Sequence, residues 1–204
     1  MSTRAHWENI YQSKEPTQVS WFQAHAAISL DLIRRSSIQP GEPIIDIGGG
    51  SSTLVDDLLA SGYQAITVLD ISAQALRHAQ RRLGALAGGV TWLEADITEV
   101  SLIPEAYAVW HDRAVFHFLT QPRERQRYIE CARRAVRPGG FLIVATFSLD
   151  GPSRCSGLEA VRYSPESLQA EFGGEFELVD SAEETHHTPA GGEQKFMYCY
   201  CRRG

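Results

Sequence analysis

The sequence predicts an α/β fold: a doubly wound, seven-stranded, mostly parallel sheet with an antiparallel C-terminal strand and helices on both faces. Three observations carry that expectation. Five apolar strand patterns between residues 43 and 147 are interleaved with helical patterns, the arrangement of a parallel sheet covered on both sides. The first strand runs directly into Gly48-Gly49-Gly50, a sharp strand-to-helix turn where a Cβ would collide. Beyond residue 164 one short helix is followed by two strand patterns close in sequence, which pair antiparallel at a sheet edge.

The elements follow in order. Residues 1–20 are polar but punctuated by His6, Trp7 and Tyr11, with Trp21 just beyond. Residues 22–36 space Phe22, Ala26, Ile28, Leu30, Leu32 and Ile33 as a helix, which Pro40-Gly41 breaks. Strand 43–47 comes next, then helix 52–61 ending at Gly62, then strand 64–70. Ser72 is placed to cap helix 72–86, and Gly88-Gly89 ends it before the strand Val90–Leu93. A short apolar fourth strand covers Tyr107–Trp110. Pro122 suits the first turn of helix 122–137; Pro138-Gly139-Gly140 stops it ahead of strand Phe141–Phe147. In the tail, Ser164-Pro165-Glu166 opens a helix closing near Gly173-Gly174, and Phe176–Asp180 and Lys195–Cys201 are the last two strands.

At 204 residues and 43% hydrophobic content the chain has the size of one domain with one core. It divides into an N-terminal lid and helix (1–36), a cofactor-binding core (40–150), and a substrate-side rim with terminal hairpin (151–204). A net charge of −6 argues against a nucleic-acid partner. The arginines of Arg123–Arg127 and Arg133-Arg134 sit in a helical pattern and read as a solvated face. No apolar run reaches a membrane span and the N-terminus has no signal core, so a cytoplasmic location without a membrane partner is expected. Cys131, Cys155, Cys199 and Cys201 lack metal spacing; they are expected as free thiols, and no metal is expected. Cys199 and Cys201 alternate along one strand and share a face.

The residues with most to say are Ile44–Gly50. Asp46 ends the apolar run, glycines follow, and a helical pattern starts at Thr53, leaving free N–H groups for an anionic group. Asp70 closes the second strand, where an acid takes a ribose hydroxyl pair. A dinucleotide fingerprint fits badly, because Thr53 stands where its third glycine belongs, and no phosphate-loop lysine follows. The stretch resembles motif I of the class I S-adenosylmethionine (SAM) methyltransferases: an acid, an apolar residue, then Gly-x-Gly. Five parallel strands, a helix and a terminal hairpin are also that family's order, so the resemblance covers about residues 40–204.

That resemblance implies a methyltransferase, a transferase using SAM and releasing S-adenosylhomocysteine. It implies that Asp46, Gly48, Gly49 and Gly50 line the methionine end, that Asp70 grips the ribose, and that Ile71 packs on the adenine. Asp96 would accept from the adenine amino group and Ile97 would donate its amide. The chain departs from the motif in having Ser51 and Ser52 after Gly50; their hydroxyls are expected to bond to the loop or to the ligand carboxylate.

Methyl transfer needs alignment, exclusion of water and, for some nucleophiles, a base. The run from Trp110 to His117 concentrates polar chemistry beyond the fourth strand. His111, Asp112 and His117 are the catalytic candidates: either histidine as base, Asp112 orienting an amine, with His111 also beside the cofactor's reactive end. Arg113 would hold an anionic substrate group. The competing account makes Asp112 and Arg113 a structural ion pair and the histidines loop caps. Cys155 and Arg162 lie on the rim after the fifth strand, and His186-His187 with Gln194 between the last two strands. Together with Trp21, residues Cys155, Arg162 and His187 are expected to form a specificity wall rather than a soft-metal site. The aromatic leader resembles that of small methyltransferases, including eukaryotic lysine methyltransferases acting on elongation factors or citrate synthase. There it folds over the cofactor as a lid; plain packing on helix 22–36 is the alternative.

The expected activity is methylation of a small-molecule acceptor. A protein lysine acceptor and a non-catalytic SAM-binding module are the alternatives, and a nicotinamide oxidoreductase is disfavoured by the missing glycine. The acceptor atom (oxygen, nitrogen, sulfur or a metalloid) and the oligomeric state are not fixed by the sequence.

Overall fold

The computed structural model describes residues 3–204. Seven strands form one sheet in the order β3-β2-β1-β4-β5-β9-β8. They are β1 Ile44–Ile47, β2 Ile66–Asp70, β3 Val90–Glu94, β4 Tyr107–Arg113, β5 Val136–Phe147, β8 Phe176–His187 and β9 Glu193–Arg203. The first five pair parallel, and β9 runs antiparallel to both β5 and β8. A two-residue ribbon, β6 Arg154–Cys155 and β7 Leu158–Glu159, stands apart. The helices are α1 Thr3–Ser13, α2 Ala27–Arg35, α3 Leu54–Ala60, α4 Ala73–Leu83, α5 Pro122–Ala135 and α6 Pro165–Phe172.

The sheet is covered on both faces. One buried cluster joins Leu32, Ile33, Leu54, Leu58 and Leu76 to the strands, and the other joins Tyr128, Ala132, Leu168 and Phe172. The central strands β1 and β2 are buried at every position, as expected when helices cover both sides. Cys199 and Cys201 fall in the same cluster as free, buried thiols. Among the described residues, no helix is long and apolar enough to cross a membrane.

Several boundaries differ from the sequence expectation, each for a physical reason. The polar leader forms α1, because its stability comes from docking on α4. Glu8 Oε2 accepts from Ser72 Oγ and from Gln74 N at 3.1 Å, and His78 Nε2 donates to Tyr11 O at 2.9 Å. Residues 22–26 are not helical and α2 starts at Ala27; Thr53 Oγ1 donates to Gln23 O at 3.1 Å and Ala26 N to Asp57 Oδ2 at 2.9 Å, pulling this stretch across the glycine turn.

The fourth strand does not stop at Trp110. It continues through His111, Asp112 and Arg113, paired with β1 on one side and β5 on the other. Helix α5 ends at Ala135 and β5 begins at once, running through Pro138-Gly139-Gly140 with a shift in register against β4. The last two strands are longer than their apolar patterns, since the hairpin continues past the sheet to His187 and Glu193. Ser72 caps α4 as expected, its hydroxyl accepting from Ala75 N at 3.1 Å, and Ser164 caps α6 in the same way.

Candidate active site

Strand β1 has β2 and β3 on one side and β4 and β5 on the other. This is the point where strand order reverses and where open α/β sheets bind ligands, at the carboxyl ends of the strands. A cavity opens there, with about 1020 Å³ of atom-free space between its walls, part of it open to solvent. Under β2 and β3 it is lined by Gly48, Asp70, Ile71, Asp96 and Ile97. Under β4, β5 and β9 it is lined by Arg113, Phe147, Cys155, Gln194 and Phe196, and Trp7, Tyr11 and Trp21 line it as well. A smaller cavity shares Tyr11, Trp21, Ile47, Gly48 and Arg113 with it and reaches back to Asp46, Ser52 and His111.

The glycine turn is required by crowding. Gly48 has φ +67°, and a Cβ there would lie 2.1 Å from Val115 Cγ2. At Gly49 a Cβ would stand 2.3 Å from Asp46 Oδ2, and at Gly50 2.3 Å from Asp70 Oδ2. These two glycines therefore make room for the protein's own carboxylates. The serines that follow act on the fold: Ser52 Oγ accepts from Leu54 N at 3.1 Å, and the Ser51 and Ser52 carbonyls accept from Arg82 at 2.9 and 2.6 Å.

Each acid retains bonding capacity. Asp46 Oδ1 accepts from His111 Nδ1 at 2.7 Å, and His111 Nε2 accepts from Ser29 Oγ at 2.8 Å. Asp46 Oδ2 is buried with no partner among the described residues, a costly state unless a donor arrives. Asp70 Oδ1 accepts from Ser72 N at 2.8 Å. Burial pushes the Asp70 carboxyl up to about 7; the Ser72 amide works against this, while Asp46 and Glu8 reinforce it. Asp96 is partly exposed and spends Oδ1 on Thr98 N and Thr98 Oγ1, at 2.8 and 2.7 Å. The set is suited to a ligand bearing an ammonium and several hydroxyl or amino donors.

The residues expected as catalysts are placed differently. Asp112 is fully buried and does not line either cavity. Its oxygens accept from Val115 N at 2.8 Å, Phe116 N at 3.0 Å and Tyr128 Oη at 2.6 Å, so it pins the turn after β4. Burial lifts its carboxyl to about 6, against those bonds. His117 is also sealed: Nδ1 accepts from Phe147 N at 3.3 Å and its ring lies 4.4 Å from the Phe147 ring. Burial, then Arg113, drives it down to about 3, leaving a neutral imidazole. His111 reaches only the smaller cavity, with both nitrogens engaged. No Asp112–Arg113 ion pair forms either, because Arg113 pairs with Glu184 at 3.2 Å, donates to Tyr198 Oη at 3.0 Å and lies over the Phe196 ring at 4.1 Å.

Of the four substrate-side candidates besides Arg113, Trp21 and Cys155 line the cavity. Arg162 and His187 do not. Arg162 is exposed and donates to Leu149 O at 2.9 Å; His187 is exposed beside Glu193 at 3.3 Å, out on the hairpin. The inward-facing member of that pair is His186, whose Nε2 donates to Ser20 O at 2.8 Å. Among the described residues no group of three or more His, Cys, Asp or Glu is placed to hold a metal.

Sequence reasoning left out Ala114, Phe118, Phe147 and Phe196 as wall residues. Ala114 follows β4 at φ +76°, a conformation a non-glycine residue adopts only under constraint. Gln194 stood in a polar cluster that the sequence singled out, whereas Phe147 and Phe196 end apolar strands and carry no signal beyond that of core residues.

A family model described as a methyltransferase domain matches residues 44–140. The eEF1A lysine and N-terminal methyltransferase of Mus musculus is 24% identical over 139 residues, 68% of this chain and 20% of that protein. The chain thus spans about a fifth of the length of the curated relatives it matches. A solved structure described as "Conversion of a Disulfide Bond into a Thioacetal Group during Echinomycin Biosynthesis" superposes with a TM-score of 0.81 at 19% identity, over 99% of this chain and 92% of that one. A SAM-dependent methyltransferase from Anabaena variabilis gives 0.76 at 16%, over 100% and 96%. The Burkholderia thailandensis 1,6-didemethyltoxoflavin-N1-methyltransferase, solved with 1,6-didemethyltoxoflavin and S-adenosylhomocysteine, gives 0.67 at 19%, over 87% and 77%.

Proposed function

We propose that this chain is a class I SAM-dependent methyltransferase and that it methylates a small acceptor held in the aromatic part of its cavity. The carrying observation is the continuity of that cavity. One space joins Asp70 and Asp96, beyond β2 and β3, to the aromatic wall under β4, β5 and β9, and the adjoining cavity that reaches Asp46 shares Tyr11, Trp21, Ile47, Gly48 and Arg113 with it.

The cofactor supplies a methyl group already activated on a sulfonium. In this reading Asp70 accepts from the ribose hydroxyls, and Ile71 packs on the adenine. The free oxygen of Asp96 and the Ile97 amide meet its edge. Gly48, Gly49, Gly50 and Asp46 hold the amino-acid end, the unpartnered Asp46 Oδ2 taking the ammonium. His111 is a positioning residue that fixes Asp46 through Nδ1. Trp7 and Trp21 exclude water, and their rings offer cation–π attraction to a sulfonium.

Calorimetry with SAM, S-adenosylhomocysteine and NAD tests the reading. The first two should bind and NAD should not; NAD binding without SAM binding overturns it. A lysine acceptor is the second reading, favoured by the match to the eEF1A lysine and N-terminal methyltransferases. Labelled SAM offered to folded elongation factor and to a small-molecule panel separates the two, and SAM binding without transfer to either would favour a binding module.

A further inference from the structure

We propose, resting on the reading above, that the acceptor is a small thiol, its sulfur seated beside Arg113 and Cys155 and its hydrogen-bond donor taken by Gln194. The acceptor wall is apolar apart from those three side chains, with Trp21, Phe118, Phe147 and Phe196 around them. Gln194 is more than nine-tenths buried, and its Oε1 has no partner among the described residues. Its Nε2 donates to Ser20 Oγ at 3.5 Å, so one end of the amide is engaged and the other is left unpaired in a residue that lines the cavity. Ser20 Oγ also lies 3.8 Å from Cys155 Sγ, tying the three residues into one cluster.

The acid–base inventory of this wall selects the reacting atom. The imidazoles of His111 and His117 and the carboxylate of Asp112 are sealed from it by the bonds described above. Glu184 is taken up by Arg113, by Tyr198 Oη at 2.8 Å and by Gln23. Glu124 lines the cavity from the first turn of α5, where it accepts from Gln121 N at 3.3 Å. Asp70 and Asp96 lie under β2 and β3. The Tyr11 phenol is raised by burial and by Asp70, which removes it as a base. Among the described residues, the only carboxylate beside Arg113, Cys155 and Gln194 is the already paired Glu184, so a hydroxyl acceptor seated there would find no free base and a protonated amine no free carboxylate. A thiol needs neither, since a few per cent is thiolate near neutral pH and it is intrinsically very nucleophilic. Its neutral form suits aromatic walls. Arg113 favours the thiolate, as it does at Cys155, where it opposes the larger upward push of burial.

In the transfer, the thiol proton goes to solvent and the acceptor sulfur forms a bond to the methyl carbon. The carbon's bond to the sulfonium breaks, and that electron pair stays on the departing thioether. No oxidant or further reactant is required.

Benzyl mercaptan, benzyl alcohol and benzylamine differ chiefly in the reacting atom. Offered to the SAM-loaded protein, only the mercaptan should be methylated. Methylation of the alcohol or the amine, or an inert mercaptan, overturns the sulfur assignment. SAM binding measured by calorimetry stays as the separate test of the proposed function. With S-adenosylhomocysteine bound, benzyl mercaptan should quench tryptophan fluorescence saturably. Gln194→Leu, with Gln194→Met as the closer isostere should the first fail to fold, should weaken that binding about tenfold and leave S-adenosylhomocysteine affinity unchanged. Absence of quenching, or equal mercaptan affinity in both variants, overturns the subsite.

Discussion

Burial without a cation sets the behaviour of Asp70. It is 5% exposed, and its carboxyl rises from 3.8 to about 7. An acid raised in the fold ionises at a cost to stability. Through this group the free protein is destabilised progressively as pH climbs from about 4 to about 7, and fully above that. Asp70→Asn should therefore melt higher than the wild type at about pH 8, by calorimetry. The same carboxylate is assigned to the ribose, so taking the pH from about 8 to about 6 should weaken SAM binding about tenfold in the wild type and much less in Asp70→Asn. Asp70→Ala should cost about 2 kcal/mol of SAM binding; unchanged affinity removes it from the site. Asp112 is the opposite case. Removing it strands the Tyr128 hydroxyl and two backbone amides, so Asp112→Ala should destabilise the fold by about 3 kcal/mol. In the fraction that folds, SAM affinity should persist; its loss would return Asp112 to the binding site.

At the scale of elements, α1 is held against α4 by side-chain hydrogen bonds. Glu8 serves as a cap for a neighbouring helix, accepting from Ser72 Oγ and Gln74 N, a service worth about 1 kcal/mol at a helix N-terminus. Glu8→Ala should loosen α1 and raise hydrogen exchange at Trp7–Tyr11 while α4 keeps its own Ser72 cap. Equal exchange in both proteins would make the lid independent of that contact. Trp7 packs edge-on against Trp21 and Phe118, at 5.7 and 5.1 Å between centroids. The leader is thus a packed element whose Trp7 also lines the cavity. The β4 strand shows why its polar residues misled: period-two alternation sends His111 and Arg113 to one face and Asp112 to the other, where each finds a partner inside the fold.

For the whole molecule, the sheet's switch point gathers groups from both halves of the chain, and ligand binding should be felt globally. SAM at about one hundred times its dissociation constant should add about 2.7 kcal/mol of stability, seen as a rise in melting temperature with protection of α1 in hydrogen exchange. A rise in melting temperature without protection of α1 would detach the lid from the cofactor site.

The alternation of strands and helices, the glycine turn with Asp46 and the acids closing successive strands were legible because each depends on local periodicity or on backbone sterics within a few residues. So were the Ser72 and Ser164 caps. Which polar residues face the cavity was decided only in three dimensions. His111, Asp112 and His117 had the right composition for catalysis, and Arg162 and His187 for recognition, yet burial against Asp46, Tyr128 and Phe147, or exposure on the rim, set their roles. The cavity wall formed by Phe147 and Phe196 required β9 to insert beside β5, a pairing between residues some fifty positions apart that no local pattern encodes.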